Sequence, residues 1–463
     1  MAKSSSVALL AFTLLVAMPV ARAHAQPAAS SIYVTTGHVA PELEPIGEGV
    51  AEWIRQRIAR TGLDVVPGPG MRSGVTRPAP QPKPSREKPT TGALLAHASK
   101  IGSVAALLVD LRWERGKVLA DFRLYEVSSG QLYGGGLVAS DPARLIVDSE
   151  AALAGVYEGL GMEAVVPDPQ ALAAHGLDEL SALTRALVFM EKQAFVRSWR
   201  ELEGRRSTTA EELRREILAT AASGDAPLAE RARLDAVQGE VDGAWSLIAE
   251  DAPAAYMDPS GESAILIAAG EIQLERGVLD QSRAYFEKAL ELRPSNAEAS
   301  LGLGRVLVEQ GQLDGARRAF KHSAHNDPAS PRPLEVLAEL ERERPAVQAL
   351  LALEAGDRHA ARLSTGPAQI HFERAVALDR SVEAKALERS GALYTRMGEP
   401  EQAVVSLQRS NEIGGRTPER MLGIARAQAN AQQLEASQLT LLEMLEEVEP
   451  GSGPALTELG ELY

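Results

Sequence analysis

Two histidines three residues apart, His322 and His325, sit at the end of a helical stretch, where paired imidazoles are the start of a metal site. A metal needs further ligands, and no acidic or histidine cluster follows them, so they read as surface histidines. Gly302-x-Gly304 does not follow a strand and lacks the context in which spaced glycines cradle a dinucleotide. Gly134-Gly135-Gly136 lies in a strand or its turn, which points to a bulge or a close backbone contact rather than a phosphate cradle. There is no Gly-x-Ser-x-Gly, no Walker loop and no His-Glu-x-x-His. The absence of cysteine excludes disulfides, thiolate zinc sites and cysteine nucleophiles. Carboxylates abound, yet none is set apart by position as a tuned acid or base. No catalytic residue, cofactor or metal ligand is therefore assigned, and the chain is expected not to be an enzyme.

The elements that would position any site start with an address label. Lys3 precedes an apolar run from Val7 to Ala17, and small residues then recur at Ala21-Arg22-Ala23 and Ala23-His24-Ala25. This is a signal-peptide pattern over 1–25, cleaved after Ala23 or Ala25, with an uncleaved amino-terminal anchor as the alternative. No later segment is apolar over the roughly 20 residues of a membrane span. The expected location is periplasmic or secreted, without a lipid anchor on cysteine. A formal net charge of -15 disfavours nucleic acid and anionic membranes as partners. The 463 residues, 45% hydrophobic and 24% charged, suit a globular chain of several domains.

From about 30 to 162 the pattern is α/β. Ile32–Thr36 reads as a strand, and Leu43, Ile46, Val50, Trp53, Ile54 and Ile58 share one helical face. Leu63–Val66 is a second strand. A proline-rich segment at about 72–91 reads as a disordered loop. A helix over Ala93–Ile101 leads to Val104–Val109, apolar on both faces and so a central strand. Val118, Ala120, Phe122 and Leu124 alternate with less apolar neighbours, as in a half-buried strand. A third meander strand covers Leu132–Val138, and Asp141 is expected to cap a helix running to about Leu160. The order is β-α-β-α-β-β-β-α. The runs Val109–Trp113, Gly116-Lys117-Val118 and Arg123–Leu132, with Ser128-Ser129-Gly130 at the turn, resemble TolB-like amino-terminal domains of the bacterial envelope. That resemblance implies a small α+β accessory module.

Beyond Pro167 strand signals vanish. Leu177–Leu202 and Ala210–Ala222 are helix candidates in a connector spanning 170–224. From 225 to 463 there is a period. Gly270, Gly277, Ser282, Phe286, Ala289 and Pro294 are each followed 34 residues later by Gly304, Gly311, Ala316, Phe320, Ser323 and Pro328. In its spacing and residue types the array resembles the tetratricopeptide repeat family, most clearly at 263–296 and 297–330. Weaker copies lie near 225–258, 349–382 (with an inter-helix loop at Ser364–Pro367), 384–417 and 417–451. The stretch 331–348 reads as a degenerate insert. Leu459, Gly460 and Tyr463 read as the opening of a further repeat, from a fragment or an incomplete cap. The expected fold is an α+β amino-terminal domain followed by an all-α tetratricopeptide-type solenoid.

The resemblance implies a concave groove lined by first helices. Its candidate protein-binding positions are Ile267, Glu271, Leu274, Glu275, Leu301, Arg305, Val308 and Glu309, with Lys385, Glu388, Thr395 and Arg396 from a later repeat. The favoured function is an exported scaffold or adaptor that binds a protein or peptide partner in the cell envelope, in assembly or trafficking. The alternative is an accessory subunit whose α/β module senses a small molecule or peptide and signals through the repeats. A third possibility, an enzyme with its site in the α/β module, would need convergent titratable groups that the sequence does not display.

Overall fold

The computed structural model describes residues 31–40, 43–59, 63–66, 90–114, 117–141, 144–160, 177–222, 226–258 and 262–462. The expected signal peptide, and the expected loop up to Pro89, lie outside these residues. Two compact units are present.

The first unit is built on a sheet. The elements of this part of the chain are β1 (Ser31–Val39), α1 (Glu44–Ala59, whose residues up to Trp53 group with the second unit), β2 (Asp64–Val66), α2 (Thr91–Lys100), β3 (Ala105–Glu114), β4 (Lys117–Glu126), β5 (Leu132–Ser140) and α3 (Leu145–Gly159), in the order read from the sequence. The strand order is β2-β1-β3-β4-β5. β1 runs parallel to β2 and β3, whereas the β3–β4 and β4–β5 pairs are antiparallel. Helical crossovers permit the parallel pairs and short turns impose the antiparallel ones. Ala105 to Val109 are buried on both faces, and Val118, Ala120, Phe122 and Leu124 are fully buried.

Gly134-Gly135-Gly136 is a close-approach site. A Cβ at Gly136 would lie 1.9 Å from the Ala152 carbonyl oxygen, and one at Gly155 would lie 2.2 Å from that of Gly135. The backbones of β5 and α3 touch where no side chain intervenes. The expected Asp141 cap is corrected. The N-cap of α3 is Arg144, without a side-chain cap bond. Asp141 lies too early for its carboxylate to serve the first helical amides; its backbone carbonyl accepts the Arg144 N–H at 2.8 Å.

The second unit is helical. It contains α4 (Leu177–Glu191), α5 (Phe195–Glu201), α6 (Thr208–Ala222), α7 (Leu228–Val237), α8 (Val241–Ile248) and α9 (Asp251–Met257). Then come α10 (Ser263–Glu275), α11 (Leu279–Leu292), α12 (Ala297–Glu309), α13 (Leu313–Asn326), α14 (Arg332–Leu340), α15 (Pro345–Ala361) and α16 (Thr365–Leu378). The last are α17 (Glu383–Met397), α18 (Pro400–Gly414), α19 (Pro418–Asn430), α20 (Leu434–Glu443) and α21 (Gly453–Leu462). None of the described helices is long and apolar enough to cross a membrane.

Successive helices pair as α4/α5, α7/α8, α10/α11, α12/α13, α15/α16, α17/α18 and α19/α20. Each pair turns on one residue with positive φ: Gln193, Gly239, Gly277, Gly311, Leu363, Gly398 and Gln432 respectively. The single helix expected over Leu177–Leu202 is thus broken at Gln193. The expected loop at Ser364–Pro367 is also corrected. Leu363 makes the turn at φ 54°, and α16 starts at Thr365. The stretch 331–348 forms α14 and the start of α15, so the insert is a helix added between two pairs.

Within a pair, large meets small. Cβ atoms added at Gly270 and Gly302 would lie 2.8 and 2.3 Å from the Phe286 ring, so that ring is held between consecutive first helices. Gly304 faces Phe320 and Gly356 faces Phe372, while Leu407 takes the place of the ring over Gly391. A second tie is polar. The hydroxyls of Ser198, Ser282 and Ser437 donate to the carbonyls of Ala186, Gly270 and Ala425, each twelve residues earlier, at 2.7–2.8 Å. The α4/α5 pair, in the stretch read as a connector, therefore carries the same marks as the pairs that follow.

Gly304→Leu is expected to destabilise the array by about 3 kcal/mol, and Phe320→Ala by about 3–5 kcal/mol, read by chemical denaturation. Gln432 is exposed and left-handed, so Gln432→Gly is expected to be neutral or stabilising by up to about 1 kcal/mol in the same assay.

Candidate functional site

First helices of neighbouring pairs pack on one another, α7 on α10, α10 on α12, α15 on α17 and α17 on α19. Second helices have less contact with each other, which puts the first helices on the inner side of the curve. The twelve candidate groove residues divide into three groups there, with Thr395 exposed on α17.

Three of them are not on an open surface, Leu274 being only 8% exposed. Ile267 is 4% exposed and packs with Leu266, Phe286 and Val306. Glu271 belongs to an ion network that fills the inside of the curve. Arg233 of α7 makes a bidentate pair with it, at 2.7 and 3.2 Å. Arg233 also reaches Glu230 at 2.7 Å and Glu298 of α12 at 3.4 Å. From α5, Arg197 binds Glu298 at 2.8 Å, and Arg200 lies 3.8 Å from Glu271. Three guanidinium groups thus meet three carboxylates across four helices. Burial works against these charges, and pairing outweighs it at Arg197, Arg233, Glu271 and Glu298, whereas burial prevails at Arg200 and lowers its guanidinium. Arg233 keeps its proton well above the usual range because Glu271, Glu298 and Glu230 surround it. Burial alone would raise Glu298, but Arg233 and Arg197 hold its carboxyl down to about 2. Spacing gave no hint of this, since Arg233 lies outside the clearest repeats.

A second group stitches one first helix to the next. Arg305 and Glu275 pair at 3.1 Å, and Arg420 of α19 pairs with Glu388 at 3.0 Å. Arg389 and Asp357 do the same between α17 and α15 at 3.1 Å. Leu301 and Val308 are half-buried against the cluster of Leu307, Phe320 and Leu337.

The third group is exposed. Glu309, with Leu274, Glu275, Gly277, Leu279 and Arg305, lines a shallow depression of about 260 Å³. Lys385 and Arg396 are exposed on α17, and their charges act with that of Arg389 on Asp357, whose carboxyl is raised by burial against that pull. The structure thus gathers Glu275, Arg305 and Glu309 at one place and Lys385 and Arg396 at another.

The inner curve also meets itself. The Ser181 hydroxyl of α4 donates to the Arg362 carbonyl at 2.6 Å, and Arg185 donates to the Ser364 hydroxyl at 3.2 Å and pairs with Glu201 at 3.0 Å. Arg362 in turn contacts Glu201. The first pair is therefore fastened to the turn between α15 and α16.

His322 and His325 are both exposed; His322 is engaged by Ser300 and Asn326 at 2.9 and 3.0 Å. A histidine–carboxylate cluster that no sequence spacing signals forms elsewhere, where the folded chain brings Glu335, His359 and His371 together. Burial would raise Glu335, but hydrogen bonds with His359 and His371 hold its carboxyl far below the usual range. In the first unit, Asp110 just beyond Val109 accepts the His38 N–H at 2.6 Å and pairs with Arg123.

Residues 273–340 match the tetratricopeptide repeat family. Over that stretch the helix pairs are of the tetratricopeptide type. No curated protein matches the chain. Similar solved structures include the APC/C hetero-tetramer Cut9-Hcn1, at 16% identity and TM-score 0.27 over 61% of this chain and 55% of that one. PilW, a widely conserved type IV pilus biogenesis factor, is 15% identical with TM-score 0.25, over 50% of this chain and 96% of that one. A tetratricopeptide repeat protein from Parabacteroides merdae is 13% identical with TM-score 0.23, over 62% and 99%. This chain thus spans little more than half of the first of these. Tetratricopeptide helices of this kind are protein-interaction scaffolds, and the match falls on the pairs that line the depression at Arg305.

The Glu298 carboxyl is depressed in the fold, so its contribution is present above the ordinary value of 4.5 and is lost as pH falls toward 2. Thermal melts of the full chain are expected to fall steeply over that window, and Glu298→Gln is expected to flatten the fall. At neutral pH the same substitution is expected to cost about 3 kcal/mol, because it leaves buried guanidinium charge uncompensated.

Proposed function

We propose that the chain is an exported scaffold that holds a protein partner on the open part of its first-helix face. The observation that carries this reading is the division of that face. Where Arg233, Glu271 and Glu298 meet, the chain fills its own groove; at Glu275, Arg305 and Glu309, and again at Lys385 and Arg396, charged groups stay exposed. Exposed charge on a repeat scaffold suits an extended, charged peptide segment, which would exchange the Arg305–Glu275 pair for its own contacts at little cost. The leader pattern at 1–25 supports export. The element order of the first unit, with its β3–β4–β5 meander, supports a TolB-like accessory module and hence a role in envelope assembly or trafficking.

A second reading has its own observation. Ile370, Val405 and Leu439 occupy the same place on α16, α18 and α20, and are 63%, 67% and 67% exposed. Equivalent positions on three consecutive second helices form an aliphatic row on the outer side of the curve, a surface suited to an apolar partner.

Capture of partners from the envelope fraction by the full-length mature chain, with chemical cross-linking, separates the two. Arg305→Glu combined with Glu309→Arg is expected to reduce capture about tenfold with unchanged circular dichroism and melting. Intact capture by that variant, lost instead with Ile370→Asp and Val405→Asp, would move the docking surface to the outer row.

A further inference from the structure

Glu335 lies on α14, His359 near the end of α15 and His371 on α16. Their side chains converge on one point. Glu335 Oε1 is 2.8 Å from His359 Nε2 and 3.2 Å from His371 Nε2, and the three ligand atoms lie within 4.8 Å of one another. The two rings are stacked, with centroids 5.2 Å apart and planes 16° from parallel, so both Nε2 atoms approach the same carboxylate oxygen. Around a tetrahedral ion with bonds of about 2.0–2.1 Å, neighbouring ligand atoms stand about 3.3 Å apart. The two separations from Glu335 Oε1 lie within about half an ångström of that value before any adjustment of the side chains.

The donor set selects the class of ion. Two imidazoles and one carboxylate suit zinc and its neighbours in the first transition row. Magnesium and calcium favour oxygen donors throughout. The protons are also free to rearrange. His371 Nδ1 is buried and has no hydrogen-bond partner, so when an ion displaces the Nε2 proton that now faces Glu335, the ring can carry its proton on Nδ1 and offer Nε2 as a ligand. All three groups are partly buried, which keeps the ligands close to one geometry and leaves a fourth position open to solvent.

We propose that Glu335, His359 and His371 bind a divalent ion of the zinc class, with water in the fourth position, and that the ion clips α14 to the α15/α16 pair. The site lies where such a clip has work to do. The turn residues Gly311 and Leu363 are 52 residues apart, against 34 for Gly277 and Gly311, and α14 is the helix that fills the difference without a second helix of its own. Ligands from three consecutive helices hold that interruption in register with the pair that follows.

The test uses the full chain stripped with a chelator. Titration with zinc chloride in a calorimeter is expected to give one site that magnesium does not occupy, and the melting temperature is expected to rise by a few degrees at saturating zinc. Cobalt(II) in place of zinc is expected to give the intense visible absorption of a four-coordinate ion. Glu335→Gln and the pair His359→Gln with His371→Gln are expected to weaken zinc binding at least tenfold, while His322→Gln with His325→Gln leaves it unchanged. Absence of zinc binding by the wild type, or equal affinity in Glu335→Gln, would overturn the proposal. Should the double histidine variant fail to fold, the cobalt spectrum of the wild type decides. A four-coordinate spectrum supports the site, and the weak spectrum of a hydrated ion overturns it.

Discussion

The helical unit rests on one steric match, a flat ring or branched chain set against a residue with no side chain. Phe286 lies against Gly270 in its own pair and Gly302 in the next, and Phe320, Phe372 and Leu407 repeat the contact with Gly304, Gly356 and Gly391. Because each contact brings two helix backbones close, it fixes the distance within a pair and helps to fix the step to the next. Everything placed on the inner face inherits that step. The pairings of Arg305 with Glu275, Arg389 with Asp357 and Arg420 with Glu388 bridge helices that the steric match has already brought side by side. The first of these pairs is exposed and adds little energy by itself, and the other two are partly buried; together they record how regular the spacing is.

The ionic centre of the curve has a different character. Arg197, Arg200 and Arg233 with Glu230, Glu271 and Glu298 form a charge-balanced group drawn from α5, α7, α10 and α12. Groups this buried are costly to desolvate, and a well-packed apolar filling of the same volume would be no less stable. What the network supplies is geometry. Guanidinium forks accept few arrangements of carboxylates, so the four helices are held in one relative position. The cost is that this part of the inner face belongs to the chain itself.

Much of this was legible in the sequence where a local rule applied. The alternation at Val118–Leu124 and the apolar run at Val104–Val109 gave the strands, and the recurrence of Gly270, Gly277, Ser282 and Phe286 gave the repeats and their turns. The α4/α5 pair escaped notice because Gln193 stands where other pairs carry glycine and Leu202 stands where they carry phenylalanine. The backbone conformation is conserved in kind while the residue that signals it is not. The burial of Ile267 and Glu271 was illegible for another reason. A family position tells which face of a helix a residue occupies, but not how closely the adjoining helices close over it, as at Ile267, or whether a more distant helix covers it, as at Glu271. Glu335, His359 and His371 stand 24 and 12 residues apart, a spacing that means nothing until α14, α15 and α16 are folded against one another. His322 and His325, adjacent enough to draw attention, are exposed and apart from that cluster.

The fastening of Ser181 and Arg185 to Arg362 and Ser364 changes the mechanics of the array. A chain of stacked units with only nearest-neighbour contacts frays from either end, one unit at a time, and its cooperativity decays with length. Joining α4 to the turn after α15 makes the intervening units a closed circuit. Loss of any one of them then strains the link between residues 181 and 362, so the segment gains long-range cooperativity that an open spiral lacks.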